Sequence, residues 1–341
     1  MTAHLRFTTR PPTLLSALIA SCLVAACNGN ATDDDPDGGA SLTTETDDAA
    51  TDGSGQSDTD DPATEPDSAS GDDANDDADD ETGVDPDDTD SGNDPGNPFD
   101  DDYEPGTCFA DLFVAAPPHP ANGAYPAPEL SAMCTDDRLI VQSNGIPGYE
   151  FQPITPNDLQ AHDLQFEVPL NPVEAGAPAT IPLLGTVAFA INGLPIFGPN
   201  EAEFPDPYGD PIHNGIMDFC LGHTAMAGRY HYHGLLVECL VGDVPAGEPS
   251  PIIGFALDGY PIYGPVGCLD DDCDEVVRLD SGWVQTGDPA TYAWDNHEYM
   301  PSDDPAVLDE CNGRIGPDGN YRYHATDTFP YVLGCYRGER L

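Results

Sequence analysis

Val187-Ala188-Phe189-Ala190-Ile191-Asn192-Gly193-Leu194-Pro195-Ile196-Phe197-Gly198-Pro199 returns later in the chain as Ile253-Gly254-Phe255-Ala256-Leu257-Asp258-Gly259-Tyr260-Pro261-Ile262-Tyr263-Gly264-Pro265. Seven of the thirteen positions are identical and most of the others are conservative. Each copy has an apolar strand, an Asn-Gly or Asp-Gly turn and a second short strand, which is the signature of a β-hairpin. Two such hairpins predict a domain made by internal duplication. Asp258, inside the second turn, reads as a turn residue rather than a ligand.

A second echo follows each hairpin. Asp218-Phe219-Cys220 leads to Tyr230-His231-Tyr232-His233 and Cys239, and Asp309-Glu310-Cys311 leads to Tyr321-Arg322-Tyr323-His324 and Cys335. From the first cysteine to the last aligned histidine is thirteen residues in both. Unit one therefore runs roughly from 185 to 240 and unit two roughly from 251 to 338. Unit two carries an insertion that holds Cys268-Leu269-Asp270-Asp271-Asp272-Cys273 and the stretch from Trp283 to Met300. The alternation of Tyr and His has the period of a strand, so His231 and His233 leave one face and the two phenols the other. That spacing suits one metal ion, because a neutral imidazole nitrogen is the commonest protein metal ligand.

Upstream, Cys108 to Met133 is Pro-rich and irregular, with a short apolar piece at Leu112-Phe113-Val114-Ala115. Arg138 to Ser143 reads as a strand closed by the turn Asn144-Gly145-Ile146-Pro147. Leu164-Gln165-Phe166-Glu167-Val168 alternates as a half-buried strand does, and Pro169, Pro172 and Pro178 then exclude a helix. The apolar runs are short, rich in Ile, Val, Phe and Tyr, and almost nothing has helical period. The expected fold is mainly β, a disulfide-bonded antiparallel domain over 108–341 with two pseudo-symmetric halves.

The chain has 341 residues and ten cysteines. Cys22 falls in the N-terminal leader and Cys27 directly after it, leaving eight, and an exported chain with an even number is expected to pair them all. The repeat suggests Cys220–Cys239 and Cys311–Cys335, each bracketing its Tyr/His strand. Cys268–Cys273 is the local pair, and Cys108–Cys134 is what remains.

Residues 1–26 read as an export signal: Arg6 and Arg10, then the apolar run Leu14 to Ala20. The run is too short to span a bilayer, which takes about 20 apolar residues. Leu23-Val24-Ala25-Ala26-Cys27 looks like a bacterial lipobox, which implies lipidation at Cys27 and an anchor in the bilayer. Asn28 after it resembles lipoproteins destined for the outer membrane; a soluble secreted protein cut nearby is the other reading. Between Asn28 and Thr107 lie twenty-nine of the chain's 63 acidic residues and no Lys or Arg. Such a stretch cannot bury enough apolar surface to offset its ordering entropy, so 27–107 reads as a disordered tether. Even as a neutral flexible chain it would span ~50 Å. Asp33-Asp34-Asp35-Pro36-Asp37-Gly38 opens like a calcium loop, but Thr44 stands where that loop needs Glu. Beyond the tether the basic residues are seven arginines, and the whole chain has no lysine. A surface this acidic excludes nucleic acid and anionic lipid headgroups as partners.

Many motifs in order resemble the YHYH domain proteins, a family named for the residues at Tyr230 to His233. They include Ser143-Asn144-Gly145-Ile146-Pro147, Ala190-Ile191-Asn192-Gly193, Gly222-His223, Phe255 to Pro265, Leu308-Asp309-Glu310-Cys311-Asn312-Gly313-Arg314, and Thr328 to Gly338. The likeness spans 134–338 and implies an extracellular or surface-attached domain, with no reaction to carry over. The resemblance implies a second copy reading His-Tyr or Tyr-His with another His nearby, whereas here Arg322 takes the slot equivalent to His231. A metal site would then be asymmetric, with at most His324 from the second half.

Three readings of the imidazoles stay open. In the first, His231 and His233, completed by His223 or His324, hold one divalent ion, zinc or copper. In the second they are ordinary strand residues bonded to carboxylates, with the four tyrosines as core aromatics. In the third they serve as a metal-free acid and base. His119, His162, His213 and His297 read as surface residues. Gly-x-Ser-x-Gly, a phosphate loop, a dinucleotide fingerprint and His-Glu-x-x-His are all absent from the sequence. Function thus divides between a metal-binding surface domain, a metal-dependent extracellular enzyme, and an adhesion module with an aromatic patch from Tyr260, Tyr263 and Trp283. The protein or glycan partner of such a module is not written in the sequence.

Overall fold

A computed structural model describes residues 103–270 and 272–341. The expected export signal, the lipidation site at Cys27, the acidic stretch up to 102 and the Asp33–Gly38 fragment lie outside the described residues. In chain order the strands are β1 (Leu130–Cys134), β2 (Arg138–Ser143), β3 (Leu164–Pro169), β4 (Glu174–Thr180), β5 (Thr186–Ala190) and β6 (Pro195–Phe197). Then come β7 (Gly222–Thr224), β8 (Tyr230–Tyr232), β9 (Ile252–Ala256), β10 (Pro261–Tyr263), β11 (Val266–Cys268) and β12 (Val276–Arg278). The last are β13 (Trp283–Gln285), β14 (His297–Tyr299), β15 (Gly313–Ile315), β16 (Tyr321–His324) and β17 (Cys335–Gly338). Among the described residues a single α-helical turn, α1 (Val237–Leu240), interrupts them. Among the described residues no helix is long and apolar enough to cross a membrane.

The two sequence repeats become two halves of one sheet, ordered β15-β16-β10-β9-β5-β6-β8-β7. In the first half the hairpin β5–β6 joins β8 in parallel, and β8 joins β7 antiparallel. The second half repeats this with β9–β10, β16 and β15. The halves meet where β5 pairs antiparallel with β9, and Phe189 faces Phe255, its repeat equivalent. On either side Ala188 faces Ala256 and Ala190 faces Gly254, so equivalent positions change places across a local two-fold. The duplication read from the sequence is thus a pseudo-symmetric sheet. Its two parallel joins are allowed because a long segment separates β6 from β8 and β10 from β16.

Each hairpin loop closes with a glycine in the left-handed region, Gly193 at φ 75° and Gly259 at φ 94°. Their N–H groups donate to the carbonyls of Ala190 (2.8 Å) and Ala256 (2.9 Å). This is the three-residue loop in which only glycine takes the last position without strain.

The central strands are covered on both faces, which is why they read as unbroken apolar runs. On one face sits the antiparallel sheet β1-β2-β3. Its Leu139, Val141, Phe166 and Val168 share a core with Phe189 and Phe255. Phe166 lies flat on Phe189, with ring centroids 4.8 Å apart and planes 6° apart. β3 buries every second residue, as its alternation requires. Ile196, Ile262 and the phenols of β8 and β16 belong to the core on the other face, with Val332, Leu333 and Tyr336. The insertion in unit two forms the hairpins β11–β12 and β13–β14.

All four expected disulfides form: Cys220–Cys239 and Cys311–Cys335 as the repeat suggested, Cys268–Cys273 as the local pair, and Cys108–Cys134 as the remaining one. The folded part begins ahead of Cys108. Tyr103 is buried, its ring stacks on Phe109, and its N–H donates to Asp318 at 3.1 Å. Composition alone places the boundary near 108, because it carries no sign that Tyr103 is buried.

Phe189 sits at the crossing of both cores' elements and is fully buried. Phe189→Ala is therefore expected to destabilise the oxidised protein by about 3–5 kcal/mol, read from chemical unfolding.

Candidate metal centre

Register brings the imidazoles together. β7 and β8 pair with His223 directly opposite His231, and directly opposed residues share a face of the sheet. His233, two residues beyond His231, extends from that same face. The ring centroids of His223 and His231 are 4.7 Å apart, and those of His231 and His233 are 4.8 Å apart. The fourth member is Glu201, which follows β6 and is held by its N–H donating to the Gly209 carbonyl at 2.7 Å. The ligand atoms of Glu201, His223, His231 and His233 all lie within 4.8 Å of one another.

The orientation of each ring is set from behind. His223 Nδ1 lies 2.9 Å from the Ile216 carbonyl, His233 Nδ1 2.6 Å from that of Gly198, and His231 Nδ1 3.3 Å from that of Arg229. A carbonyl only accepts, so each Nδ1 carries the hydrogen and each Nε2 presents a lone pair. Those lone pairs converge: His231 Nε2 and His233 Nε2 are 2.9 Å apart. Either one ring becomes cationic, or one gives up its carbonyl, or a cation sits between them. Burial, followed by the neighbouring His233 and His223, holds the His231 imidazole well below its ordinary pKa, which opposes the first. Carbonyl-fixed imidazoles with converging Nε2 atoms are the usual outer support of a metal ion.

Glu201 Oε1 approaches His223 Nε2 to 2.8 Å and His233 Nε2 to 3.4 Å. The approach lacks the alignment of a hydrogen bond, and this buried oxygen has no other partner. Burial raises the carboxyl's pKa, but wherever His223 or His233 carries a proton on Nε2, its hydrogen bond and charge outweigh burial and hold Glu201 well below the usual carboxylate range. Its carboxylate offers the fourth ligand atom beside the three imidazoles. The three histidines are at most 3% exposed, while the Glu201 side chain keeps 22% of its surface open. Phe197 stacks on His231 at 4.0 Å and closes one wall.

The opposite face of β8 is a phenol network. Tyr230 donates to Asp218 at 2.6 Å, Asn192 donates to Tyr232 at 2.9 Å, and the Tyr149 hydroxyl lies 2.8 Å from both phenols. Burial raises Tyr230 and Tyr149 well above an ordinary phenol, so they stay protonated. Asp258, the turn residue, does the matching work in the second half, accepting from Tyr323 at 2.6 Å. The tyrosines are thus core aromatics with satisfied hydroxyls, whatever the imidazoles do.

Among the sequence candidates, His223, His231 and His233 come together and His324 does not. Five strand spacings separate β8 from β16 in the sheet, about 24 Å at the usual interval. A two-fold relation sends equivalent positions apart unless they lie close to the axis, and the axis passes between Phe189 and Phe255. His324 instead points Nδ1 at the Gly264 carbonyl, 2.8 Å away. Glu201 escaped sequence reading because one carboxylate among 63 carries no signal. His213 remains exposed beside Asp288. His297 departs from its expected surface role: it stacks on Phe329 at 3.9 Å with planes 3° apart. His119 caps a short turn by accepting from the Ala121 N–H, and His162 is half-buried. The aromatic patch does not form: Tyr260 and Tyr263 are buried, and Trp283 packs against Trp294 and Phe329.

A family model described as YHYH protein matches residues 165–338, just over half of the chain. The chain belongs to the YHYH protein family. Among curated proteins and among solved structures, nothing matches it. The YHYH match runs from within β3 to the last residue of β17, so it takes in both halves of the central sheet and all four members of the His/Glu cluster.

Burial pushes His324 down to about 3, against the bond to Gly264 and aided by the charges of Arg314 and Arg322. Unfolding lets this imidazole bind a proton below pH 6.5, so its contribution to stability is complete above that value and is lost as pH falls. From pH 7 to pH 5 the loss should be about 2 kcal/mol, and the stability of His324→Gln should fall less over that interval.

Proposed function

We propose that this YHYH domain binds one divalent transition-metal ion, zinc or copper, through the Nε2 atoms of His223, His231 and His233 and the carboxylate of Glu201. The observation that carries this reading is the convergence of three lone pairs whose directions are fixed by backbone carbonyls behind them. Three imidazoles and one carboxylate suit either ion, and no thiolate competes, since the eight cysteines of the domain are paired. Four protein donors complete a tetrahedral shell, the arrangement of a structural rather than a catalytic ion. The partly open edge of Glu201 is the route by which the ion enters.

The domain is displayed outside the cell. Residues 1–26 direct export, Cys27 receives the lipid that holds the chain to the outer membrane or cell surface, and the acidic stretch to about 102 sets the domain away from the bilayer. The sequence Leu23-Val24-Ala25-Ala26-Cys27 supports this, as does the complete pairing of the domain's cysteines, which belongs to an oxidising compartment.

Elemental analysis of the purified, untagged chain should find close to one zinc or copper per molecule. His231→Ala with His233→Ala should bring that to background, and an unchanged metal content would end this assignment. In a bacterial host, Cys27→Ser should shift the protein from the membrane fraction to the soluble one.

A further inference from the structure

The second half contains the counterpart of the His/Glu cluster, position for position. Arg314 faces Arg322 across β15 and β16, as His223 faces His231 across β7 and β8. His324 Nδ1 is 2.8 Å from the Gly264 carbonyl, as His233 Nδ1 is 2.6 Å from that of Gly198. The backbone N–H of His324 donates to Asn312 and that of His233 to Leu221, both residues in the left-handed region at φ 66° and φ 62°. Phe197 stacks on His231, and its counterpart Tyr263 lies 4.5 Å from the guanidinium carbon of Arg322. Glu201 stands two residues after Pro199, and Gly267 two residues after Pro265. A Cβ placed on Gly267 would sit 3.3 Å from His324 Cε1 and 3.7 Å from Arg314 Nη2. The carboxylate slot is therefore present in the second half, with no side chain in it.

Charge is matched as well. A divalent ion beside Glu201 would bring two positive charges and one negative into the first half. In the second, Arg314 and Arg322 bring two positive charges, and Asp318 lies 2.6 Å from the Arg322 guanidinium. Arg322 and His324 are both fully buried. Arg314 also reaches the Cys268 carbonyl, tying β15 to β11.

We infer that the metal ion of the first half and the paired guanidiniums of Arg314 and Arg322 in the second perform one job: each supplies the buried cation that holds its Tyr/His strand against its hairpin. The ion is thereby assigned a structural role, and the second half is a latent metal site closed by arginine. This rests on the metal reading of the first half. His324 supports the latency directly, because its Nε2 is buried without a partner while its Nδ1 is engaged.

The test opens the latent site. In the full chain, Gly267→Glu, Arg314→His and Arg322→His together recreate the four donors around His324. The Leu279 side chain, 3.3 Å from the new Cβ, must give by a few tenths of an ångström. Elemental analysis after loading with zinc should then find two ions per chain against one in the wild type. A folded triple variant that still binds one ion overturns the inference, whereas a wild type that binds none overturns the metal reading itself. Should the triple variant not fold, amide hydrogen exchange on the wild type decides. Chelation should strip protection from residues 222–233 and leave 313–324 protected. Unchanged protection of 222–233 in a chain shown to have lost its ion overturns the structural role.

Discussion

The antiparallel pairing of β5 with β9, at Phe189 opposite Phe255, is the contact on which everything else is hung. It sits on the local two-fold, so every feature of one half is delivered to the other at a mirrored distance along the sheet. The flat stack of Phe166 on Phe189 fixes the β1-β2-β3 sheet to that point. Burial on both faces lets these strands dispense with alternation and carry runs such as Val187 to Ile191. Polar groups are then pushed outward along the sheet, to the strands β8 and β16.

At those outer strands a period of two divides the chemistry. One face of β8 carries phenols whose hydroxyls end on Asp218, Tyr149 and Asn192, and the other carries imidazoles. The phenol side is complete without any added group. The imidazole side is not: its Nδ1 atoms are engaged with carbonyls, and the inward nitrogens face one another beside the Glu201 carboxyl group. A buried arrangement of acceptors without donors is costly unless a cation resolves it. The second half, with the same backbone and guanidiniums in two of the slots, shows a resolution that needs no metal.

The composition of the chain fits this economy of cations. With no lysine and seven arginines beyond residue 27, positive charge is scarce against 63 acidic residues. Several arginines are engaged locally: Arg322 with Asp318, Arg337 with Glu174, Arg278 with Asp327 and Arg138 with Glu167. The exposed pairs contribute little to stability, since solvent screens them, whereas Arg322 is buried at a position the repeat defines. Four disulfides limit the unfolded ensemble of a domain whose strands are mostly three to six residues long.

Repetition made much of this legible from residues alone. The doubled hairpin, the two cysteine pairs that bracket the Tyr/His strands, the half-buried β3 and the shared face of His231 and His233 all follow from local period and from spacing that recurs. Local rules operate within a few residues and so survive translation into sequence pattern. What only the tertiary structure decided is which distant groups meet. Register across β7 and β8 chose His223 as a partner, the two-fold sent His324 to the far half, and the segment after β6 delivered Glu201. Packing likewise buried Tyr260 and Tyr263 and stacked His297 on Phe329. Such meetings depend on strand order and burial summed over the whole sheet, and no window of sequence contains that sum.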